Sequence, residues 1–178
     1  MMNHDNKPSY QGVVEHILNL THNILKHYDL KELPDFVLHH LAQDCCFGFK
    51  RAAYFVDNPD FDHFRGVAGY YKGDCAESNL RPWDNPAAFK ATMQNAVFLH
   101  KINKILNASF KRKNIDLHKT NDVVKLGKDL GMAHPEALSW QMKHGNFGVL
   151  LYEQGKSLSE QDKNLLMHAA PFLSFCPI

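Results

Sequence analysis

The stretch Asn146–Phe175, NFGVLLYEQGKSLSEQDKNLLMHAAPFLSF, constrains the fold more than any other part of the chain. Phe147–Tyr152 is a short run of apolar, β-prone residues bounded by turn signals, the pattern of a buried strand. Gly155 supplies a turn. Ser159 with Asp162 has the spacing of a helix start. Beyond it Leu165, Leu166, Ala169, Phe172 and Leu173 recur at helical steps and form one apolar face. A strand feeding directly into such a helix implies a sheet with this helix laid on its face.

The rest of the chain extends that pattern. Val13, Val14, Ile17, Leu18, Leu20, Ile24, Leu25 and Tyr28 recur at three- and four-residue steps, which predicts an amphipathic helix over residues 10–28. A stripe that broad, ahead of the main domain, suits packing against a second copy of the chain. A second helix is expected from Asp29, with Glu32 at capping-box spacing, Pro34 in the first turn and Gly48 as its end. Leu33, Phe36, Val37, Leu41 and Cys45 would form its apolar face. Ala52–Val56 and Phe64–Tyr71, separated by DNPD, read as a hairpin. Residues 73–86 read as an irregular connection. Pro86 then opens a helix expected to reach Leu106, with Phe89, Met93, Ala96, Val97, Ile102, Ile105 and Leu106 on its buried side. Residues 114–120 suit a short extended piece. A short helix runs from Thr120 or Asn121 to Gly131, and residues 136–155 read as two strands joined at His144–Asn146. Helices at both ends and antiparallel hairpins between them give an α+β fold. Residues 1–9 are expected to be a tail, residues 10–28 a leading helix and residues 29–178 the main domain.

The 178 residues suit one domain. With 44% hydrophobic and 22% charged residues the chain can bury a real core. A net charge of +1 gives no global pull toward nucleic acid or a membrane surface. No apolar run approaches the ~18 residues of a membrane span. The polar start MMNHDNKPSY lacks the apolar core of a secretion signal, so a cytoplasmic protein is expected. Cys45, Cys46, Cys75 and Cys176 form no CxxC pair and read as reduced thiols.

Two segments resemble the GAF domain family. The first is DLKELPDFVLHHLAQDCCFGFKRAAYFVDNPDFDHFRGVAGY, a helix leading into a strand of small and aromatic residues, an acidic turn and a second strand. The second is SWQMKHGNFGVLLYEQGKSLSEQDKNLLMHAAPFLSF, similar to the family's closing hairpin and helix, with Gly145, Gly148, Ser159 and Asp162 at the matching points. Residues 29–72 and 138–175 carry the likeness. The resemblance implies a GAF-like domain over 29–178 with a central antiparallel sheet of about six strands. It places the N- and C-terminal helices on one face and a small-molecule pocket on the other. It implies a sensory or regulatory module, homodimeric through its terminal helices. The matched motifs build the fold rather than a reaction centre.

Specific chemistries within that family leave little trace. The Asn-Lys-Phe-Asp-Glu set of cyclic-nucleotide binders cannot be placed. Cys75 is followed by Ala76, where bilin-binding relatives usually carry His. A free methionine sulfoxide reductase-like thiol enzyme would rest on Cys75 alone, without a neighbouring cysteine. The twelve histidines show no HExxH or HxH pattern, so no metal site is expected. His100 or His118 is an open possibility for haem, and no cofactor is assigned. There is no G-x-S-x-G nucleophile elbow and no Walker loop, so no catalytic residue is assigned. Lys101, Lys104, Lys111, Arg112, Lys113, Lys119, Lys125 and Lys128 outnumber Asp116 and Asp122, but the run lacks the interleaved aromatics of a single-strand binding surface. The expected ligand pocket comprises Tyr71, Cys75, Trp83, Phe98, His118, Trp140 and Met142, an apolar wall with a few polar tips. A pocket filled by the chain's own side chains, leaving a pure scaffold, is the remaining alternative.

Overall fold

The computed structural model describes residues 9–27, 31–58, 60, 63–74, 82–108 and 121–175. Helix α1 spans Tyr10–Lys26, with the Ser9 hydroxyl accepting the Gly12 N–H at its start. Its buried stripe is Val13, Ile17, Leu20 and Ile24, which is the expected periodicity. Helix α2, Leu33–Ala42, is buried along its whole length. It stops at Ala42 rather than near Gly48, because Gln43 is extended and a tight turn follows. Gly48, with φ +63°, closes that turn instead. Cys45 therefore lies in the turn and not on the helix face. The expected cap, Asp29, lies outside the described residues.

Five strands form one antiparallel sheet. They are β1 Phe49–Asn58, β2 His63–Tyr71, β3 Leu106–Ala108, β4 Pro135–Gln141 and β5 Phe147–Gln154, in the order β3-β2-β1-β5-β4. The β1–β2 and β4–β5 hairpins fall where the sequence puts them. The latter turns through Lys143–Gly145, where His144 and Gly145 take positive φ. Between the hairpins lie α3 Pro86–Met93, α4 Val97–Asn103 and α5 Asn121–Asp129. The chain closes on α6, Glu160–Ala169, whose start is a capping box between Ser159 and Asp162. A short 3₁₀ turn, Ala170–Phe175, follows.

Side chains alternate across the sheet and define its two layers. On one face Ala52, Tyr54, Val56, Ala68, Tyr70, Leu150 and Tyr152 pack against α1, α2, α6 and the final 3₁₀ turn. The terminal helices thus share a face, as expected. On the other face Ala53, Phe55, Phe64, Val149 and Leu151 meet Phe98, Ile102, Leu130 and Met132.

A GAF-like sheet of about six strands is not what the chain builds: among the described residues there are five, and β3 is three residues long. On the second face, among the described residues, α4 lies directly on β2. A side chain at Gly66 would collide with the carbonyl of Ile102, and one at Gly69 would come within 2.9 Å of the Ile102 side chain. These two glycines let the helix sit directly on the strand.

The single helix expected from Pro86 to Leu106 is also corrected. It breaks at residues 94–96, and the second half starts afresh as α4. Asp74 supplies the physical reason, since its carboxylate accepts the Phe98 N–H at 3.2 Å and caps α4 from a distant turn. The His100 ring nitrogen meets the Gln94 carbonyl at 2.7 Å and satisfies the end of the first half.

Candidate functional site

The residues expected to line one pocket are distributed over separate places. Tyr71 and Phe98 meet on the α4 side of the sheet, with ring centroids 6.1 Å apart and the Arg51 guanidinium 4.4 Å over Tyr71. Trp140 and Met142 lie on the opposite face, under the C-terminal 3₁₀ turn. There Trp140 covers Gly148, stacks on Tyr54 at 5.7 Å and donates its indole N–H to Ser174 Oγ at 2.7 Å. Met142 Sδ accepts from the Tyr54 hydroxyl at 3.7 Å. Trp83 packs on α2, away from both groups. Cys75 and His118 lie outside the described residues.

A cavity of about 200 Å³ opens elsewhere, between α2, α3 and α4. Helices α3 and α4 form one side of it. The facing wall is α2 rather than the open face of the sheet. Its deep lining is Asp35, Phe36, Phe89, Met93 and Leu99, all buried. Phe36 and Phe89 meet edge to face at 4.5 Å. Glu32, Lys90, Gln94, His100 and Asn103 form a polar rim. Across that rim Lys90 Nζ reaches Glu32 Oε1 at 2.7 Å, tying α3 to α2. This hydrogen bond holds the Glu32 carboxyl below its ordinary range.

Asp35 is the chemically distinctive member. An aspartate inside a wholly buried helix must find partners or lose its charge. One partner is the Gly69 N–H of β2. Strand β3 pairs with His63–Arg65 and the Ile105 carbonyl accepts the Gly66 N–H, and beyond that point no described strand covers the edge of β2. Asp35 and His39, one helical turn apart on α2, cover that edge at Gly69. Asp35 accepts from its N–H and His39 donates to its carbonyl. The other carboxylate oxygen of Asp35, Oδ1, is buried without a hydrogen-bond partner. Desolvation raises the Asp35 carboxyl to about 7 and lowers the His39 imidazole to about 4.

A chain of contacts leads from this cavity to the terminal helices. The Phe36 ring lies 5.2 Å from Trp83. The Trp83 indole N–H donates to His40 Nδ1 at 3.0 Å, and His40 Nε2–H donates to the His16 carbonyl of α1 at 2.9 Å. Accepting on one nitrogen and donating on the other fixes His40 as the neutral ring. Burial, the larger effect, lowers its affinity for a second proton.

No family model, curated protein or solved structure matches this chain. Among the described residues no cluster of three His, Cys, Asp or Glu side chains is placed to hold a metal ion. No described helix is long and apolar enough to cross a membrane.

Periodicity places Phe36, Phe89 and Met93 on packed helix faces and is silent on Asp35, whose one signal is its spacing. In LPDFVLHHLA, Asp35 and His39 stand four apart, a polar pair on a helix that is otherwise largely apolar.

Proposed function

We propose that the protein is a cytoplasmic, non-catalytic sensory or regulatory module that binds a small molecule between α2, α3 and α4. The observation that carries this reading is the buried Asp35 carboxylate, with one unpartnered oxygen, among the otherwise apolar deep lining of the cavity. Buried polar groups left without a partner are rare in folded proteins and often mark a place where something else binds. The resemblance of the two chain ends to GAF domains gives the same functional class. Ligand binding would shift a population between two arrangements of α2, and the Phe36–Trp83–His40–His16 chain couples that helix to α1.

Filling the cavity tests the reading. A small-molecule screen by thermal shift is expected to find a ligand that raises the melting temperature of the parent but not of Leu99→Trp. At a hundredfold excess over Kd, mass action gives about 2.7 kcal/mol, or roughly 5–10 °C for a chain of this size. Ligands that stabilise both proteins equally would place binding elsewhere.

The signal would leave through a homodimer. Helix α1 exposes Leu18 and Leu25, seven residues apart and away from its buried stripe. That spacing is the seam of a helix pair. Sedimentation is expected to give a dimer for the parent and a monomer for the double variant Leu18→Glu/Leu25→Glu. A parent that stays monomeric at high micromolar concentration would remove the dimer from the proposal.

A further inference from the structure

Resting on that reading of the cavity, we propose that its ligand is a small organic ammonium: a cationic amine on a compact apolar, preferably aromatic, body. Most polar groups at the site already have partners. Of the two basic side chains on the rim, Lys90 is held by Glu32 at 2.7 Å, and the His100 ring meets the Gln94 carbonyl at 2.7 Å. Both are thus engaged at the rim, away from the deep apolar lining. The open valence is an acceptor, Asp35 Oδ1. Lys90 and Lys31 offset the Glu32 carboxylate at the rim, while the deep lining carries the Asp35 carboxyl and no basic side chain, so the field there favours a cation. Phe36 and Phe89 add aromatic rings, which attract an ammonium through their faces and accept an aromatic body by stacking. The cavity of about 200 Å³ has the room of roughly seven waters, enough for a single-ring amine.

The site also predicts how binding depends on pH. The titratable groups around Asp35 are Glu32 and His39 on α2, Lys90 on α3 and His100 on α4, while β2 contributes the Gly69 backbone. With its carboxyl near 7, Asp35 is mostly protonated at a mildly acid pH. An incoming ammonium keeps its own proton and needs the carboxylate. The carboxyl O–H bond breaks, its proton goes to solvent, and the ammonium N–H···carboxylate bond forms. Affinity is then expected to rise about tenfold per pH unit below neutrality and to level above it.

Isothermal titration on the full chain tests this with three probes of one shape: 2-phenylethylamine, neutral 2-phenylethanol and anionic 3-phenylpropionate. The amine is expected to bind tightest, by about tenfold or more at mildly alkaline pH. At mildly acid pH, titrations in buffers of different ionisation enthalpy should show about one proton released per amine bound. Asp35→Asn should abolish both the preference and the proton release. The proton count on the parent keeps the test decisive should that variant fold poorly. Tighter binding of the alcohol or the propionate, amine binding unchanged by Asp35→Asn, or no amine binding at all would overturn the proposal. A ligand of another charge that binds the parent but not Leu99→Trp would overturn it while leaving the cavity as the ligand site.

Discussion

Replacing Asp35 by Asn is expected to change the pH dependence of stability in a way the parent conceals. Burial raises the Asp35 carboxyl from 3.8 to about 7, so its contribution is fully present below its unfolded value and lost as pH rises toward neutrality. His39 has the opposite sign. Its imidazole falls from 6.5 to about 4, so its contribution is present above the unfolded value and lost as pH falls toward about 4. Between these limits the folded chain carries one proton on Asp35, whereas the unfolded chain carries one on His39. The two slopes cancel. Relative to the parent, Asp35→Asn should therefore gain about 4 kcal/mol as pH rises from about 4 to about 7. His39→Gln should lose about 3 kcal/mol relative to the parent between about 4 and 6.5. Urea denaturation at several pH values reads both difference profiles, and subtracting the parent removes the other carboxylates. Two profiles of the same sign, or two flat ones, would show that the proton does not sit on Asp35 in the folded state.

That result bears on what a sequence reveals. Local signals were legible. Ser159 and Asp162 cap α6 within three residues of each other, and the turn at His144–Gly145 joins β4 to β5 where the residues favour positive φ. The stripe on α1 is equally local. What stayed hidden was carried by distant partners. The break before α4 depends on Asp74, which lies 24 residues from the Phe98 amide it caps. The directness of α4 packing depends on Gly66 and Gly69 meeting Ile102, and an isolated glycine in a strand does not say which element will approach it. The site failed for a related reason. Large aromatics such as Trp140 and Phe98 suggest a pocket by composition, yet both are used to fill layers of the core. Asp35 looks like an ordinary surface aspartate until the fold buries it and gives it only one backbone partner.

The second large effect is expected at Arg51. This residue joins three parts of the chain. Its Nη1 donates to the Gly131 carbonyl at 2.7 Å and to Glu153 Oε2 at 3.2 Å, while its guanidinium lies 4.4 Å over Tyr71. Glu153 is buried on β5, and its other oxygen, Oε1, accepts the Ala133 N–H at 3.1 Å and lies 3.6 Å from Lys50 Nζ. Together these contacts hold the connection from α5 to β4 against β1. Removing Arg51 leaves a buried carboxylate with only the exposed Lys50 as a counter-charge. Breaking a buried pair from one side costs about 3–5 kcal/mol. Lys50 and the partial exposure of Arg51 place Arg51→Ala near the lower limit, about 3 kcal/mol. Glu153→Gln should cost less, about 1–2 kcal/mol, because the amide oxygen can still accept from Ala133 and Arg51 can turn toward solvent. Chemical denaturation of both variants measures the asymmetry, and hydrogen exchange in α5 reports whether the loss is local. Equal losses for the two, or less than about 0.5 kcal/mol for Arg51→Ala, would mean that the pair behaves as an exposed surface bridge. The α5–β4 connection would then be held by the burial of Leu130 and Met132 rather than by charge.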